Sequence, residues 1–417
     1  MKIAFIVEFP TQFEVPFYQY VASRLKAEGE KLKEPIEGYD SLPTGQAGAQ
    51  PDKDEDFDSL PTGQAGAQSD KDEVGKFDFH VIYNNTDQGD YHDFELGKKV
   101  GWGFNLYEGY PYFIADKENI VNSISKILER EKYDFVILNG YKNSYNGLTK
   151  LCQQKHIPIA LRIDSVLYNL SPIKKLLKRL YLPFAYRQFN HFFAVGSETQ
   201  QFLNWLGIGD EKISYFSYSV DEEWFRKKAH DVTKVNAIKH RFNINSEKVL
   251  LSVAKFVPRE SPWDILKAFE LLNDKDLVLL LVGDGEERTA LEDYAQQMSH
   301  LKIIFAGYIP YQELAYYYGM SDVFIHAAKN EPWGVSVHEA ISCGCTVITS
   351  DKVGSSKDLI VETKNGFTYP YRDVKQLAKN ISASLIINPS EKEETNVSIL
   401  KDWGYARMWE EISSIQI

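Results

Sequence analysis

Short apolar runs alternate with helix-period segments in two successive series along this 417-residue chain. The first series places strands at 2–9, 79–84, 135–139, 157–163, 192–196 and 213–218; the second places them at 249–256, 277–282, 303–307, 323–328, 346–349 and 367–369. Between the first two strands, Val15, Tyr18, Val21, Ala22 and Leu25 recur at helical spacing. Strands regularly separated by helices predict parallel sheets covered on both faces. The length exceeds one ordinary core, so two such α/β domains are expected. The polar stretch 226–245 would carry the crossing between them, which gives domains at 1–225 and 226–395, followed by a helical tail at 396–417.

One segment does not fit the alternation. Residues 40–55 recur as 58–73 with a single difference, Pro51 against Ser69. Two copies are too few for a stacked repeat array. Their Gly, Gln, Ala, Pro and acidic content cannot bury enough apolar area to offset ordering entropy, which predicts a disordered surface insertion at 32–75. The Asp-x-Asp pairs at 52–54, 70–72 and 274–276 are read as accidental, and no structural metal is expected.

The net charge is −12, and residues 40–73 alone carry nine acids against two lysines. An acidic chain argues against a nucleic-acid partner. Three cysteines, Cys152, Cys343 and Cys345, show no zinc spacing and fit a reduced, cytoplasmic setting. The opening residues 1–8 are too short an apolar run for a signal peptide, and no run approaches the roughly 20 apolar residues of a membrane span. Membrane contact would then be peripheral. Residues 171–187 offer a means: Ile173, Leu176, Leu177 and Leu180 share one helical face, with Lys174, Lys175, Lys178 and Arg179 around the other. Such a helix can rest on an anionic membrane, or it can turn its apolar face to the core and its basic face to solvent.

The stretch 330–340 holds the densest chemistry. A strand at 323–328, a tight loop to Gly334 and a helix over 334–342 would set a helix N-terminus at the C-terminal edge of a sheet. Unpaired N–H groups and partial positive charge there suit a phosphate. Glu339 lies four residues after Val335, on the same face and roughly 6 Å along the axis, where it can reach a ribose diol while the helix start holds a pyrophosphate. The plain alternative is a helix-dipole carboxylate and one surface Glu.

Glu331 and Glu339, bracketing Trp333-Gly334-Val335, resemble the E-x7-E signature of retaining glycosyltransferase family 4, which has the two-domain GT-B fold. The following 340–350 and Asn365-Gly366-Phe367 resemble later segments of that family. Trp102 and residues 106–112, 138–141, 161–165 and 218–221 resemble a polysaccharide-associated branch, and would line the acceptor side.

The resemblance implies transfer of a sugar from a nucleotide diphosphate donor to a glycan or lipid-linked acceptor, with no cofactor. It implies that Lys255 binds the donor phosphates and that Glu331 contacts the sugar. It places Trp333, Gly334 and Val335 N–H groups on sugar or phosphate oxygens, Gly283 and Tyr308 on the base side, and the tail helix across the first domain. The family's second cationic position is here Glu260, so the adjacent Arg259 is expected to take over the phosphate contact. Asp164 at a strand end would orient the reacting sugar or an acceptor hydroxyl, or else pair with Arg162 or cap the next turn. A sugar-nucleotide epimerase or hydrolase on the same fold, and a non-catalytic nucleotide-binding scaffold, are the competing readings.

Overall fold

Two parallel sheets carry the alternation read from the sequence. The computed structural model describes residues 1–8, 10–11, 14–27, 77–84, 90–93, 98–101, 105–116, 119–142, 145–245 and 247–415. The predicted insertion at 32–75, with both copies of the repeat, and Trp102 lie outside the described residues.

The first sheet contains β1 (Lys2–Val7), β2 (Asp78–Tyr83), β5 (Tyr112–Ile114), β6 (Phe135–Asn139), β7 (Ile159–Ile163), β8 (His191–Ala194) and β9 (Ile213–Tyr215), in the order β5-β2-β1-β6-β7-β8-β9. A separate antiparallel pair, β3 (Asp90–Asp93) and β4 (Lys98–Gly101), stands between β2 and β5 in sequence. The helices of this half are α1 (Val15–Ala27), α2 (Ile120–Glu131), α3 (Asn146–Gln154), α4 (Pro172–Tyr186) and α5 (Ser197–Trp205).

The stretch read as a polar crossing is folded into α6 (Glu222–Ala229) and α7 (Val232–Arg241). Both begin with an aspartate whose side chain accepts a backbone N–H three residues on, Asp221 from Trp224 and Asp231 from Lys234. Phe225, Ala229 and Val235 of these helices pack into the core of the second half.

The second sheet contains β10 (Lys248–Val253), β11 (Leu277–Val282), β12 (Lys302–Gly307), β13 (Val323–His326), β14 (Thr346–Ser350) and β15 (Gly366–Tyr369), ordered β12-β11-β10-β13-β14-β15. It is covered by α8 (Pro262–Leu272), α9 (Arg288–Gln296), α10 (Tyr311–Gly319), α11 (Val335–Ser342), α12 (Ser356–Leu359) and α13 (Val374–Ser384). Strand β10 pairs with both β11 and β13, so the chain winds outward from β10 in one direction and then in the other. That reversal opens a crevice beyond the carboxyl ends of β10 and β13, the place where open α/β sheets bind ligands.

The chain ends in α14 (Pro389–Trp403) and α15 (Tyr405–Ser413). Met408, Trp409 and Ile412 of α15 share the core of the first sheet with Phe5, Val15 and Phe17. Burying these side chains, at about 1.5–3 kcal/mol each, ties the end of the chain to its beginning.

Candidate active site

Four loops leave the carboxyl ends of β10 to β13 on one rim. Lys255 follows β10, Gly283 follows β11, Tyr308 follows β12 and Glu331 follows β13. Gly283 has φ +144°, and a Cβ there would lie 1.9 Å from the carbonyl oxygen of Ala254, so only glycine lets these two loops approach so closely. Lys255 is half-buried beside that contact, and Tyr308 stands exposed.

The 327–334 loop is fastened at several points. Lys329 N–H donates to the Arg259 carbonyl at 2.7 Å, Glu331 N–H to Lys352 O at 3.0 Å, and Gly354 N–H to Glu331 O at 2.8 Å. The Tyr168 hydroxyl, from the first half of the chain, donates to the same Glu331 carbonyl at 2.8 Å. Helix α11 then starts after Gly334, whose φ of +95° explains why a glycine precedes Val335. The first N–H groups of this helix have no carbonyl partner within it, and the third, of Val337, donates to Gly334 O at 3.0 Å.

Trp333 is buried. Its indole N–H donates to Tyr218 O at 2.8 Å, and its ring fills the space over Gly196. Its side chain thus joins the two halves, while its backbone N–H donates to Glu331 Oε1 at 3.4 Å and its carbonyl accepts from Ser355 N–H at 2.9 Å. The backbone N–H of Ser197 adds a second tie, donating to the Asp358 carboxylate at 2.9 Å.

Glu260 turns inward. Its carboxylate pairs with Arg259 Nη1 at 2.7 Å, and the same nitrogen lies 3.9 Å from Glu331 Oε2. Arg259 therefore stands beside Glu331, with one flank committed to Glu260. His326, 5% exposed at the end of β13, has no hydrogen-bond partner on either ring nitrogen. Ligand atoms of Glu260, His326 and Glu331 lie within 4.8 Å of one another. Among the described residues this is the one grouping spaced to hold a metal ion, and Arg259 already supplies positive charge to both of its carboxylates. Sequence reasoning passed over His326, although a lone histidine in an apolar run was the available signal.

Burial pushes the Glu331 carboxyl up to about 7, Glu260 and Asp164 add to the rise, and Arg259 opposes it. Burial also raises Glu339 to about 7, against the hydrogen bond from Tyr318. Glu339 is 3% exposed, and Tyr318 donates to its Oε2 at 2.7 Å. The Glu339 carboxylate is thus buried inside the second half and already paired with Tyr318. His338, between them in sequence, is wholly buried against Glu222 at 3.0 Å.

Asp164 follows β7 on the facing rim, and the Tyr218 hydroxyl approaches its Oδ2 at 3.4 Å. Arg162 is engaged elsewhere: it donates to Glu14 at 2.8 Å and to the carbonyls of Phe216 and Ser217, and lies 3.9 Å over the Phe216 ring. Asp164 also lines a cavity of about 620 Å³ together with Gly140, Tyr141 and residues of α4.

Residues 235–397 match the family model described as glycosyl transferases group 1. The chain is 32% identical over 154 residues to alpha-monoglucosyldiacylglycerol synthase of Streptococcus pneumoniae, covering 36% of this chain and 34% of that protein. It is 27% identical over 163 residues to N-acetyl-alpha-D-glucosaminyl L-malate synthase of Bacillus anthracis, covering 38% and 40%. The match thus spans well under half the length of these relatives. Among solved structures, a glycosyltransferase from Rickettsia africae aligns with a TM-score of 0.68 at 14% identity, over 99% of this chain and 96% of that one. Anabaena Alr3699/HepE, in complex with UDP and glucose, aligns with a TM-score of 0.64 at 12% identity, over 99% and 98%. The chain has the GT-B fold of glycosyltransferases, and the glycosyl transferases group 1 match falls on the half that carries the Glu331–Glu339 loop.

Proposed function

We propose that this chain is a retaining, metal-independent hexosyltransferase of the family 4 type, moving a sugar from a nucleotide diphosphate donor to a glycan or lipid-linked acceptor. The observation that supports this reading is the approach of Arg259 to Glu331, on the loops that follow β10 and β13, the first of which also carries Lys255 and the second of which leads into α11. The solved relative from Anabaena holds UDP and glucose, and the streptococcal relative is named for a glucosylated diacylglycerol. Polysaccharide or glycoconjugate assembly at the cytoplasmic face of a membrane is the setting proposed.

In the reaction, the bond between the sugar's anomeric carbon and the diphosphate oxygen breaks, and the acceptor oxygen bonds to that carbon on the same face. The acceptor's proton passes to the departing phosphate oxygen. Lys255, Arg259 and the N–H groups at the start of α11 stabilise the charge that develops there. Glu331 holds sugar hydroxyls, Glu339 supports the ribose side, and Asp164 orients the acceptor or the reacting sugar from the facing rim.

Contact with the membrane is assigned to residues 171–187. No helix among the described residues is long and apolar enough to cross a membrane. The apolar face of α4, however, points outward: Ile173 and Phe184 are each 73% exposed and Leu180 is 72% exposed. Lys174, Arg179 and Arg187 flank that ridge in sequence register. An exposed apolar ridge with basic flanks fits an anionic bilayer surface.

Incubating the protein with a panel of nucleotide sugars and a lipid extract, in chelator, tests the reading. A glycosylated product with the donor's anomeric configuration is expected. Product formed equally well from donor alone, or none from any donor, would contradict it.

A further inference from the structure

Strand β13 ends on a histidine that nothing in the chain satisfies. His326 is 5% exposed, and neither ring nitrogen has a hydrogen-bond partner. A buried polar group left unpaired costs about 1–3 kcal/mol, so its place at the end of an apolar strand calls for something to pair it. Thr349 stands opposite His326 in the register of β13 and β14, and its buried hydroxyl is also without a partner. Glu260 and Glu331 bring carboxylate oxygens within 4.8 Å of a His326 nitrogen and of each other, yet neither hydrogen-bonds the ring. The three side chains thus surround a gap without closing it.

The gap has the donor set of a transition-metal ion. One imidazole nitrogen and two carboxylate oxygens are ligands that Zn²⁺ accepts at about 2.0–2.2 Å each, which sets tetrahedral ligands roughly 3.4 Å from one another. Rotation of the two glutamate side chains supplies that contraction, because the backbone beneath them is held. Lys329 N–H donates to the Arg259 carbonyl at 2.7 Å, which ties the two loops together, and the Glu331 backbone is bonded to Lys352 and Gly354. Imidazole in the set favours Zn²⁺ and its neighbours over Mg²⁺ or Ca²⁺, which prefer oxygen ligands. Without an ion, the two carboxylates share the guanidinium of Arg259, 2.7 Å from Glu260 and 3.9 Å from Glu331. The Arg259 side chain is 40% exposed against 6% for Glu260 and 24% for Glu331, so it is the member that can swing out and be replaced.

We propose that Glu260, His326 and Glu331 form a binding site for a divalent transition-metal ion of the Zn²⁺ class, which takes the place of Arg259 and shuts the loop to the sugar donor. The ion is an inhibitor here and not a cofactor. It ties up the Glu331 carboxylate that the transfer reading assigns to sugar hydroxyls, and it drives off the guanidinium assigned to phosphate. The inhibition rests on that reading; the binding of the ion does not. Ion and donor then exclude one another, each weakening the other by the same factor.

The test titrates Zn²⁺ into the full chain, stripped of metal, against a chromophoric chelator, and follows transfer from a panel of nucleotide sugars on the same samples with and without Zn²⁺. The wild type is expected to bind one Zn²⁺ that excess Mg²⁺ does not displace. Glu260→Gln and His326→Leu should each weaken it about tenfold or more, since each removes a ligand. His326→Leu takes away a buried unpaired ring and is expected to fold; circular dichroism checks both variants, and Glu260→Gln carries the binding test if the other does not fold. Zn²⁺ should stop transfer by the wild type and chelator should restore it, whereas His326→Leu should transfer in chelator and resist Zn²⁺. No Zn²⁺ binding, or binding that neither variant weakens, would overturn the site. Transfer by the wild type that continues unchanged in saturating Zn²⁺ would overturn the inhibition. If transfer proceeds in chelator and no Zn²⁺ binds, the ion site fails and the transfer reading stands. If Zn²⁺ binds as expected and no nucleotide sugar is turned over in chelator, the ion site stands and the transfer reading fails.

Discussion

Arg259 is held by Glu260, its neighbour in sequence, at 2.7 Å, and this pair leaves the guanidinium 3.9 Å from Glu331. A glutamate where the family resemblance leads one to expect a cation therefore does not empty the site of positive charge; it fixes the orientation of the arginine beside it. Arg259→Ala should lower kcat/KM roughly 10- to 100-fold, the size of one lost charge-assisted hydrogen bond at about 1.5–3 kcal/mol. Arg259→Lys should recover only part, since a single ammonium cannot pair Glu260 and reach a phosphate as a fork does. Steady-state rates with the preferred donor decide the matter, and an unchanged Arg259→Ala would remove Arg259 from the donor site.

The two motif glutamates make stability depend on pH. Burial raises Glu339 from an ordinary carboxyl value of 4.5 to about 7 in the folded chain. The folded state then holds more protons than the unfolded state between these values, so stability is present below about 4.5 and lost as pH rises through about 7. Glu331 acts in the same direction. Glu339→Gln, which keeps an acceptor for Tyr318, should flatten the fall by up to about 3 kcal/mol. Melting curves of both proteins from pH 4.5 to 8 measure this.

Gly196 and Trp333 meet where the halves of the chain touch. A Cβ on Gly196 would lie 2.4 Å from Cζ3 of Trp333 and 2.7 Å from Oδ2 of Asp358. Gly196→Ala should therefore cost about 1–3 kcal/mol through overpacking, seen as a lower melting temperature. Because Trp333 adjoins Glu331, donor affinity should fall with it.

The α4 ridge predicts binding to vesicles. Phe184→Ser should reduce partition onto anionic vesicles about tenfold or more, from lost apolar burial. Lys174→Gln should reduce it about fivefold, an effect that fades with added salt. Sedimentation with anionic and neutral vesicles distinguishes the two contributions.

Much of this architecture could be read from local pattern. The strand ending at His326, the loop through Gly334 and the helix to Ser342 follow from one apolar run, one glycine and one helical period. Periodicity said which residues of α4 share a face, but not which way the face points, because that depends on what packs against the helix. Residues 226–245 looked like a polar crossing because α6 and α7 bury few side chains, though Asp221 and Asp231 carried the cap signals. Glu14 and Arg162 are 148 positions apart, and Glu260 and His326 belong to separate strand–loop units. No local pattern brings such pairs together; the winding of the sheets does.

The central claim is that the loop from Glu331 to Glu339 binds a nucleotide donor. The most direct measurement is thermal stabilisation by UDP, GDP and ADP, compared between the wild type and Glu339→Ala, since a ligand that binds only the folded chain raises its melting temperature. The account predicts that one diphosphate raises the melting temperature of the wild type and that Glu339→Ala, still folded, loses most of that shift. No shift with any diphosphate, or an equal shift in the variant, would contradict it.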